Sequence, residues 1–444
     1  MLKKPKNKIR PALPSGFRDF GPAEVRRRRR VFSLLIDLFE RFGYEPLETP
    51  AVELLSVLMG KYGDEGDKLL FRILNSGDFW VEVPPTARES SYTLLPYLTE
   101  KALRYDLTVP MARWVAQHAG ELVFPFKRYQ IQPVWRADRP QRGRFREFYQ
   151  CDIDIVGAEG VMALGEILMI VRQGLYALGI QGATLHLNHR ALLEAAATES
   201  GWPSERFSDF CARLDKIDKV GWDEVEGLFR REGYRLPDWL RPNERGFSVV
   251  RDKLRSLPAL EAEVEAVQSL LDEEDPTLQV RWDTTLARGL EYYTGYVYEV
   301  RVPGSGIGSI GAGGAYASLV ADFGGPDLPA MGFSFGIERI LTLISPSEEG
   351  NGSSLPVLVA WVDASIRYTM QVVSLLHREG IPAFAYPSPR KLSKQLDYAQ
   401  RRGLRWVVVV GAEEERTRTV QLKDFLHHTE LTLPVDALAS HCGR

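Results

Sequence analysis

Residues 126 to 157, FKRYQIQPVWRADRPQRGRFREFYQCDIDIVG, alternate polar and apolar side chains on both sides of a short polar loop, ADRPQRG. Successive side chains of a β-strand point to opposite faces, so this pattern predicts two strands joined as an antiparallel hairpin. One face of the hairpin is almost wholly polar. It carries Arg128, Gln130, Gln132, Val134 and Arg136 from the first strand, and Arg146, Phe148, Gln150, Asp152 and Asp154 from the second.

Two interpretations of this polar face are open. It is the solvated side of a half-buried sheet, or it binds a ligand. The residue types favour a ligand, because guanidinium, amide and carboxylate groups stand where Lys, Thr and Ser would be ordinary. The loop adds Arg139, Gln141, Arg142 and Arg144. Arginine pairs with carboxylate and phosphate groups, so the hairpin predicts a site for an anion and a small polar molecule.

Composition excludes several classes of protein. The chain has 444 residues, enough for two or three domains, and a net charge of −3, which excludes a generally basic nucleic-acid coat. Its longest apolar runs are far too short to span a bilayer. Three scattered cysteines argue against a disulfide framework. The basic N-terminus lacks the apolar core of a signal peptide. We therefore expect a cytoplasmic protein with no membrane partner.

The remaining sequence divides into segments that differ in composition and in hydrophobic periodicity. A helix is predicted to start at Gly21 and Pro22, and Arg26 to Arg30 are expected to form mostly its solvated part; an RNA or localisation signal is the less favoured alternative. Residues 160 to 180 predict a second helix, followed by the strand ATLHLNH. Residues at about 190–275 have charged, helical periodicity, which predicts an inserted helical subdomain. After a polar linker at 346–354, strand and helix alternate, which predicts a small α/β domain.

The hairpin resembles motif 2 of the class II aminoacyl-tRNA synthetases, and in detail that of the histidyl-tRNA synthetases. YEPLETPAVE, with Pro50, resembles motif 1, and MGFSFGIERI (331–340) resembles motif 3. The resemblance implies an α+β fold: a class II synthetase-like antiparallel sheet flanked by helices, with the inserted helical subdomain. It also implies a catalytic domain over 1–345, an anticodon-binding domain over 355–444, and a homodimer paired through motif 1.

Two further segments carry the expected amino-acid site. In LRYDLTVPMAR (103–113), Asp106 and Thr108 are two residues apart, and on a strand they would face one side and accept hydrogen bonds from an ammonium group. Alone, this Asp is more simply one that ends a strand at a turn. ARGLEYYTGYVYEV (287–300) resembles the histidine-specific signature of the family, although in isolation it could be an ordinary aromatic strand.

The resemblance implies a role for each site residue. Arg136 and Arg288 are the expected catalytic residues, beside the α-phosphate of ATP. The expected histidine-binding residues are Asp106, Thr108, Arg136, Gln150, Asp154, Arg288, Tyr292 and Tyr293. The expected ATP-binding residues are Arg136, Arg144 and Arg339, and Arg139 and Gln141 are expected to meet the acceptor end of the histidine tRNA.

The implied reaction is ligation of histidine to its tRNA, with ATP and Mg²⁺. Attack of the histidine carboxylate on the α-phosphorus brings two anions together, so catalysis requires positioning and cations rather than a protein nucleophile. One element departs from the family pattern. GAGGAYASLV (311–320) has Ala315 and Ala317 where the family carries Arg and Asp. The alternative hypothesis is a catalytically silent paralogue that binds histidine or tRNA as a regulator.

Overall fold

A computed structural model provides the structure of the chain. It describes residues 11–62, 66–81, 83–140, 143–241, 251, 253–257, 260, 263–271, 275–287, 293–344 and 355–442. The chain divides into two compact units, residues 1–345 and 346–444. None of the described helices is long and apolar enough to cross a membrane.

Unit 1 begins with a long helix and alternates strands with helices. Its first elements are α1 (Pro22–Arg41), β1 (Glu45–Pro46), β2 (Val52–Leu54), α2 (Leu55–Leu58), β3 (Arg72–Ile73), α3 (Ser91–Leu98), β4 (Lys101–Leu103), α4 (Thr108–His118), β5 (Phe126–Trp135), β6 (Glu147–Val156), α5 (Val161–Ala177) and β7 (Ala183–His189). Its later elements are α6 (Arg190–Glu199), α7 (Phe207–Leu214), α8 (Ile217–Val220), α9 (Trp222–Arg231), α10 (Val264–Leu271), β8 (Leu278–Trp282), β9 (Tyr296–Arg301), β10 (Gly311–Tyr316), β11 (Ala330–Gly336) and α11 (Ile337–Leu343).

The main sheet of unit 1 has eight strands in the order β1-β5-β6-β11-β10-β9-β7-β8. Neighbouring strands from β5 to β7 are all antiparallel, whereas β1 and β8 pair in parallel at the two edges. Strands β2, β4 and β3 form a separate sheet of three. The predicted α+β fold, with an antiparallel sheet flanked by helices, is confirmed.

The predicted hairpin forms the second and third strands of this sheet. Strands β5 and β6 pair antiparallel, and Arg128 lies opposite Asp154, Gln130 opposite Asp152 and Gln132 opposite Gln150. The polar face of the hairpin is not its solvated side, because Arg128 and Gln130 are 0% exposed and both aspartates 3%. The sheet therefore buries this polar face, which agrees with the ligand interpretation.

The opposite face of the sheet packs against two helices. Helix α1 begins after Gly21, whose backbone N–H donates to Glu24 Oε2 at 3.0 Å, and has Pro22 at its first position, where proline is favoured. The predicted arginine run is mostly solvated, since Arg26, Arg29 and Arg30 are exposed. The main hydrophobic core joins α1 and α5 to the apolar face of the sheet. It includes Leu35, Leu38, Phe39, Ile167, Val171, Cys151, Ile153, Phe333 and Phe335.

The predicted helical insertion is present in the part of it that the structure describes. After β7, helices α6 to α9 pack around their own core, which includes Trp202, Phe210 and Phe229. Residues 242–250 and several shorter stretches of the insertion lie outside the described residues. This core also contains Leu286 and Val297, so the insertion packs on the strands that follow it.

Unit 2 has the predicted alternation of strands and helices. Its elements are β12 (Val357–Val362), α12 (Ile366–Arg378), β13 (Ala383–Ala385), α13 (Leu392–Arg401), β14 (Trp406–Gly411), α14 (Ala412–Thr417), β15 (Thr419–Asp424), β16 (Thr429–Pro434) and α15 (Leu438–Cys442). They form a five-stranded sheet in the order β13-β12-β14-β15-β16. The first three strands are parallel and the last two antiparallel, with a core on each side of the sheet.

The packing of α1 on the sheet leads to a stability prediction. Leu35 is fully buried at this interface. We expect Leu35→Ala to lower the free energy of unfolding of unit 1 by about 3 kcal/mol, because it leaves a cavity in a close-packed core. Urea denaturation measures this change. Ser33→Ala, at an exposed position of the same helix, is the control, and an equal effect of both variants would contradict the packing described.

Candidate active site

A pocket opens on the polar face of the main sheet, beside the start of α4. Its volume is about 390 Å³, part of which is open to solvent. Strands β6, β10 and β11 contribute most of its lining, and Arg136 enters it from the residue that follows β5. Its lining includes Asp106, Thr108, Arg136, Gln150, Asp152, Asp154, Tyr293, Ala312, Tyr316, Gly332 and Ser334. Six of the residues predicted to bind histidine are therefore brought together: Asp106, Thr108, Arg136, Gln150, Asp154 and Tyr293.

The carboxylate of Asp154 is fixed at both oxygens. Arg128 Nη2 lies 2.7 Å from Oδ2, and the Tyr316 hydroxyl donates to Oδ1 at 2.5 Å. Burial raises the pKa of Asp154 to about 6, although Arg128 and the Tyr316 hydrogen bond both favour its ionised form. Asp154 is thus a rigid acceptor at the floor of the pocket, and Arg128 offsets much of the cost of burying it.

Two glycines make room for these side chains. A Cβ at Gly332 would overlap the carboxylate of Asp154 and would lie 2.8 Å from the Ile153 carbonyl oxygen. A Cβ at Gly314 would lie 2.7 Å from Cδ1 of Tyr293. Because any larger residue would displace the neighbour, glycine at both positions is a requirement of the pocket rather than of the backbone conformation.

A second buried carboxylate, Asp152, stands between Gln150 and Asp154 on the same face of β6. Ser334, opposite it on β11, hydrogen bonds with its side chain. Burial raises the pKa of Asp152 to about 7; Arg128 acts against this shift, and Asp154 adds to it. The Gln150 amide lies within 3.5 Å of the Ser334 hydroxyl. Among the described residues, three carboxylates, those of Asp106, Asp152 and Asp154, and the guanidinium group of Arg136 therefore line the pocket.

Asp106 does not lie on a strand, so that part of the sequence prediction is wrong. Strand β4 ends at Leu103, and Thr108 is the first residue of α4. Asp106 Oδ1 accepts hydrogen bonds from the backbone N–H of Val109 at 3.1 Å and from the Tyr62 hydroxyl at 3.0 Å. An Asp next to a helix start satisfies a free N–H group in this way, and this local bond prevails over the strand pattern. Asp106 and Thr108 line the pocket nonetheless.

Arg136 is held at the loop end of the hairpin. Its Nε donates to the Tyr105 carbonyl oxygen at 3.0 Å. Its guanidinium group lies 4.3 Å from the ring centre of Tyr105 and 5.2 Å from that of Phe148. Such cation–π contacts fix a planar guanidinium group between two rings. These contacts hold the guanidinium group of Arg136 in one orientation. Its Nη atoms are then available to bind an anion in the pocket.

The other predicted residues lie elsewhere or outside the described residues. Arg144 pairs with Asp138 at 2.7 Å, and Arg139 is exposed in the hairpin loop. Arg339 is the third residue of α11, as predicted, and donates to the carbonyl oxygen of Ser309. None of these three lines the pocket. Gln141, Arg288 and Tyr292 lie outside the described residues.

Sequence reasoning missed two residues that build the site. Arg104 is 1% exposed and donates to the carbonyl oxygens of Thr49 (2.6 Å) and Pro133 (2.9 Å), which joins the motif 1 segment to the hairpin. Tyr316 holds Asp154. A buried arginine carries no periodic signal of its own, whereas Tyr316 sits in the glycine-rich element, whose tight backbone could have indicated a site.

Ala315 and Ala317 lie off the pocket. Ala315 is 2% exposed and belongs to the core on the helix side of the sheet, opposite Met331 of β11. The backbone N–H of Ala317 donates to the Thr294 hydroxyl at 2.9 Å. Neither residue lines the pocket, whereas Tyr316 between them does. The departure from the family pattern thus leaves the described lining of the pocket unchanged.

In chemical terms the pocket suits a small zwitterion. Buried carboxylates and a hydroxyl can accept the N–H groups of a cationic ligand, and Arg136 can pair with its anionic end.

Comparison with known proteins agrees with this chemistry. A family model described as histidyl-tRNA synthetase matches residues 16–78 and 98–340, and one described as anticodon binding domain matches residues 355–442. The chain is 38% identical to a histidine–tRNA ligase from Cytophaga hutchinsonii, over 96% of this chain and 98% of that protein. It is also 38% identical to one from Christiangramia forsetii, over 97% and 98%.

A solved structure has the same fold. The histidyl-tRNA synthetase from Nostoc sp. PCC 7120 superposes with a TM-score of 0.77 at 26% identity, and the match covers 98% of this chain and 99% of that one.

The close contact between Gly332 and Asp154 leads to a prediction. We expect Gly332→Ala to displace the carboxylate of Asp154, because the added methyl group overlaps it. The affinity for histidine, the ligand that the resemblance implies, should fall by at least about tenfold. Isothermal titration calorimetry measures the affinity. Gly227→Ala is the control, because nothing lies near its Cβ in helix α9. Unchanged binding by Gly332→Ala would contradict this description of the floor.

Proposed function

The chain belongs to the histidyl-tRNA synthetase family and is an aminoacyl-tRNA synthetase, and we propose that its pocket activates histidine with ATP for transfer to the histidine tRNA. The observation that carries this proposal is the convergence of Asp106, Thr108, Arg136, Gln150 and Asp154 in one pocket. The roles below follow from the chemistry of these side chains together with the family resemblance.

Histidine is bound through its charged and polar groups. Asp106 and Thr108 accept N–H groups of the α-ammonium, and Arg136 pairs with the carboxylate. Asp154, fixed by Arg128 and Tyr316, accepts the imidazole N–H. An amino acid of similar shape without an N–H group would leave the buried carboxylate of Asp154 without its hydrogen bond. Such a loss discriminates between ligands more strongly than an apolar pocket can by shape alone. Gln150 and Tyr293 complete the walls around the ring.

Activation joins the substrate carboxylate to ATP. A carboxylate oxygen attacks the α-phosphorus, an O–P bond forms, and the bond to the β-phosphate breaks as pyrophosphate leaves. Arg136 offsets the negative charge that meets at this phosphorus, and Arg288 is assigned the same task. Arg144 and Arg339 are assigned to the remaining phosphates. Mg²⁺ would accompany ATP and would offset part of the negative charge of its phosphates.

Transfer to tRNA completes the reaction. A hydroxyl of the terminal ribose attacks the acyl carbon of histidyl-adenylate, and AMP leaves. Arg139 and Gln141 in the hairpin loop are assigned to the acceptor end of the tRNA. Unit 2 is assigned to the anticodon; Arg390, Lys391, Lys394, Arg401 and Arg402 give it an exposed basic surface on and beside α13.

The assembly and location follow from the same proposal. The catalytic domain occupies residues 1–345, with the insertion at about 190–275; a linker occupies 346–354, and the anticodon-binding domain 355–444. Two copies pair through the motif 1 segment, where Val52 (40% exposed) and Leu54 (54% exposed) present apolar side chains next to Pro50. The protein acts in the cytoplasm, where its tRNA substrate is found.

The first prediction of this proposal concerns adenylate formation. We expect the wild-type protein to catalyse ATP–pyrophosphate exchange with histidine and with no other amino acid. We expect Arg136→Ala to lower kcat/KM for histidine at least about a hundredfold, because it removes the cation beside the reacting carboxylate and phosphate. Arg29→Ala, at an exposed position of α1, is the control and should leave the exchange rate unchanged.

The alternative hypothesis makes the opposite prediction for this assay. A regulatory paralogue would bind histidine and give no exchange, so a folded wild-type protein without exchange would refute the ligase proposal.

The second prediction separates the two half-reactions. We expect Arg139→Ala to keep histidine-dependent exchange but to lower the rate of tRNA charging by about tenfold, because Arg139 is exposed in the loop and does not line the pocket. Charging of labelled histidine onto tRNA measures the rate, with Arg29→Ala again as the control. Loss of exchange and charging together would place Arg139 in the first step instead.

A further inference from the structure

Asp152 is a carboxylate of the pocket to which the proposed reaction gives no task. It is 3% exposed and stands on the same face of β6 as Gln150 and Asp154. Burying a carboxylate in this way is costly unless it is paired and hydrogen bonded. Its neighbour Asp154 has the buried arginine within 2.7 Å, so the two acids are not equally satisfied.

One oxygen of Asp152 lacks a donor. Its Oδ1 atom is buried and has no hydrogen-bond partner among the residues that the structure describes. Gln130 lies directly opposite Asp152 in the hairpin, but its amide nitrogen donates to Thr49 Oγ1 at 2.9 Å and to Gln132 Oε1 at 2.6 Å. Arg128, the neighbouring residue on the same face of β5, pairs with Asp154 and makes no hydrogen bond to Asp152 Oδ1. Among the described residues this oxygen is left without a donor, and we infer that a donor entering the pocket can reach it.

The charges around Asp152 favour a cationic donor. Among the described residues, the charged groups that act on it are the carboxylates of Asp154 and Asp106 and the guanidinium group of Arg128, while Arg136 lines the pocket nearer its loop end. Burial and the two carboxylates disfavour a further negative charge at Asp152, and Arg128 only partly offsets them. A positive ligand group would complete this balance, and hydrogen bonds between charged groups are about twice as strong as neutral ones.

The position of Asp152 indicates which part of histidine it meets. From the loop end of the hairpin inward, the polar groups follow in the order Arg136, Gln150, Asp152 and Asp154. In the proposed orientation the substrate carboxylate meets Arg136 and the imidazole meets Asp154. The α-carbon lies between these ends, on a level with Gln150 and Asp152, and of these two only Asp152 has the charge with which an ammonium group pairs. Residues two apart on a strand are separated by about 6.6 Å. Neighbouring polar side chains of β6 can therefore contact different polar groups of the same histidine molecule.

We propose that Asp152 is a further histidine-binding residue, whose Oδ1 atom accepts a hydrogen bond from the α-ammonium group of the substrate. This inference rests on the proposed binding of histidine in the pocket. It complements the role of Asp106, whose Oδ1 already accepts two hydrogen bonds from within the protein. An ammonium group has three donors, so Asp152, Asp106 and Thr108 can each accept one.

The test compares ligands with and without the ammonium group. Isothermal titration calorimetry on the full chain would measure Kd for histidine, for histidinol, which keeps the ammonium but lacks the carboxylate, and for imidazole-4-propionate, which lacks the ammonium. We expect Asp152→Asn to weaken histidine and histidinol by about tenfold or more and to leave imidazole-4-propionate unchanged. Retained binding of imidazole-4-propionate also shows that the variant is folded.

Glu147→Gln is the matched control, since it makes the same chemical change at an exposed position of β6. It should alter none of the three affinities. Equal weakening of all three ligands by Asp152→Asn would assign Asp152 a structural role, and no weakening would remove it from the site; either result overturns the proposal. If Asp152→Asn does not fold, Asp152→Ser is judged by the same criterion.

The calorimetric result also separates this inference from the proposed function. A wild-type chain that binds no histidine would refute both. A wild-type chain that binds histidine, together with an Asn variant that binds it equally well, would refute only the role of Asp152.

Discussion

The ion pair between Arg128 and Asp154 is the interaction on which the pocket depends. Both side chains are almost completely buried, at opposed positions of the hairpin. Removing one partner of such a pair leaves an uncompensated buried charge and typically costs about 3–5 kcal/mol. The pair therefore holds β5 and β6 in one register. Tyr316 extends the same contact to β10, and Gly332 of β11 leaves space for it. Four neighbouring strands are thus positioned around a single carboxylate.

The apolar face of the sheet fixes this polar arrangement from behind. On β6, Cys151, Ile153 and Ile155 pack under the helices α1 and α5, and the residues between them form the pocket. A slip of one residue would move every polar group of β6 into the hydrophobic core and every apolar one into the pocket. The packing of the apolar core on one face of the sheet consequently fixes the positions of the polar side chains on the other. The polar side chains themselves bury little apolar surface.

Site residues that belong to a periodic sequence pattern could be predicted, whereas residues that act through partners distant in the chain could not. The hairpin was predictable because alternation extends over both strands, whereas the register that brings Arg128 opposite Asp154 is seen only in the structure. Asp106 was placed on a strand wrongly, because a single carboxylate gives no period and its hydrogen bond to Val109 starts a helix instead. Tyr316 and Arg104 act through contacts with residues distant in the chain; the glycine-rich element marks the position of Tyr316, but no local pattern gives the partner of either residue.

The two alanines of the glycine-rich element can now be understood through the same division of the sheet. Ala315 faces the helix side, in a core of apolar residues, while Tyr316 faces the pocket and holds Asp154. The family resemblance leads us to expect Arg and Asp at positions 315 and 317; with alanine at both, neither charge is present without the other. The strand keeps its alternation, so the pocket keeps its tyrosine. The departure therefore affects the support behind the sheet and leaves the acceptors that face the substrate in place.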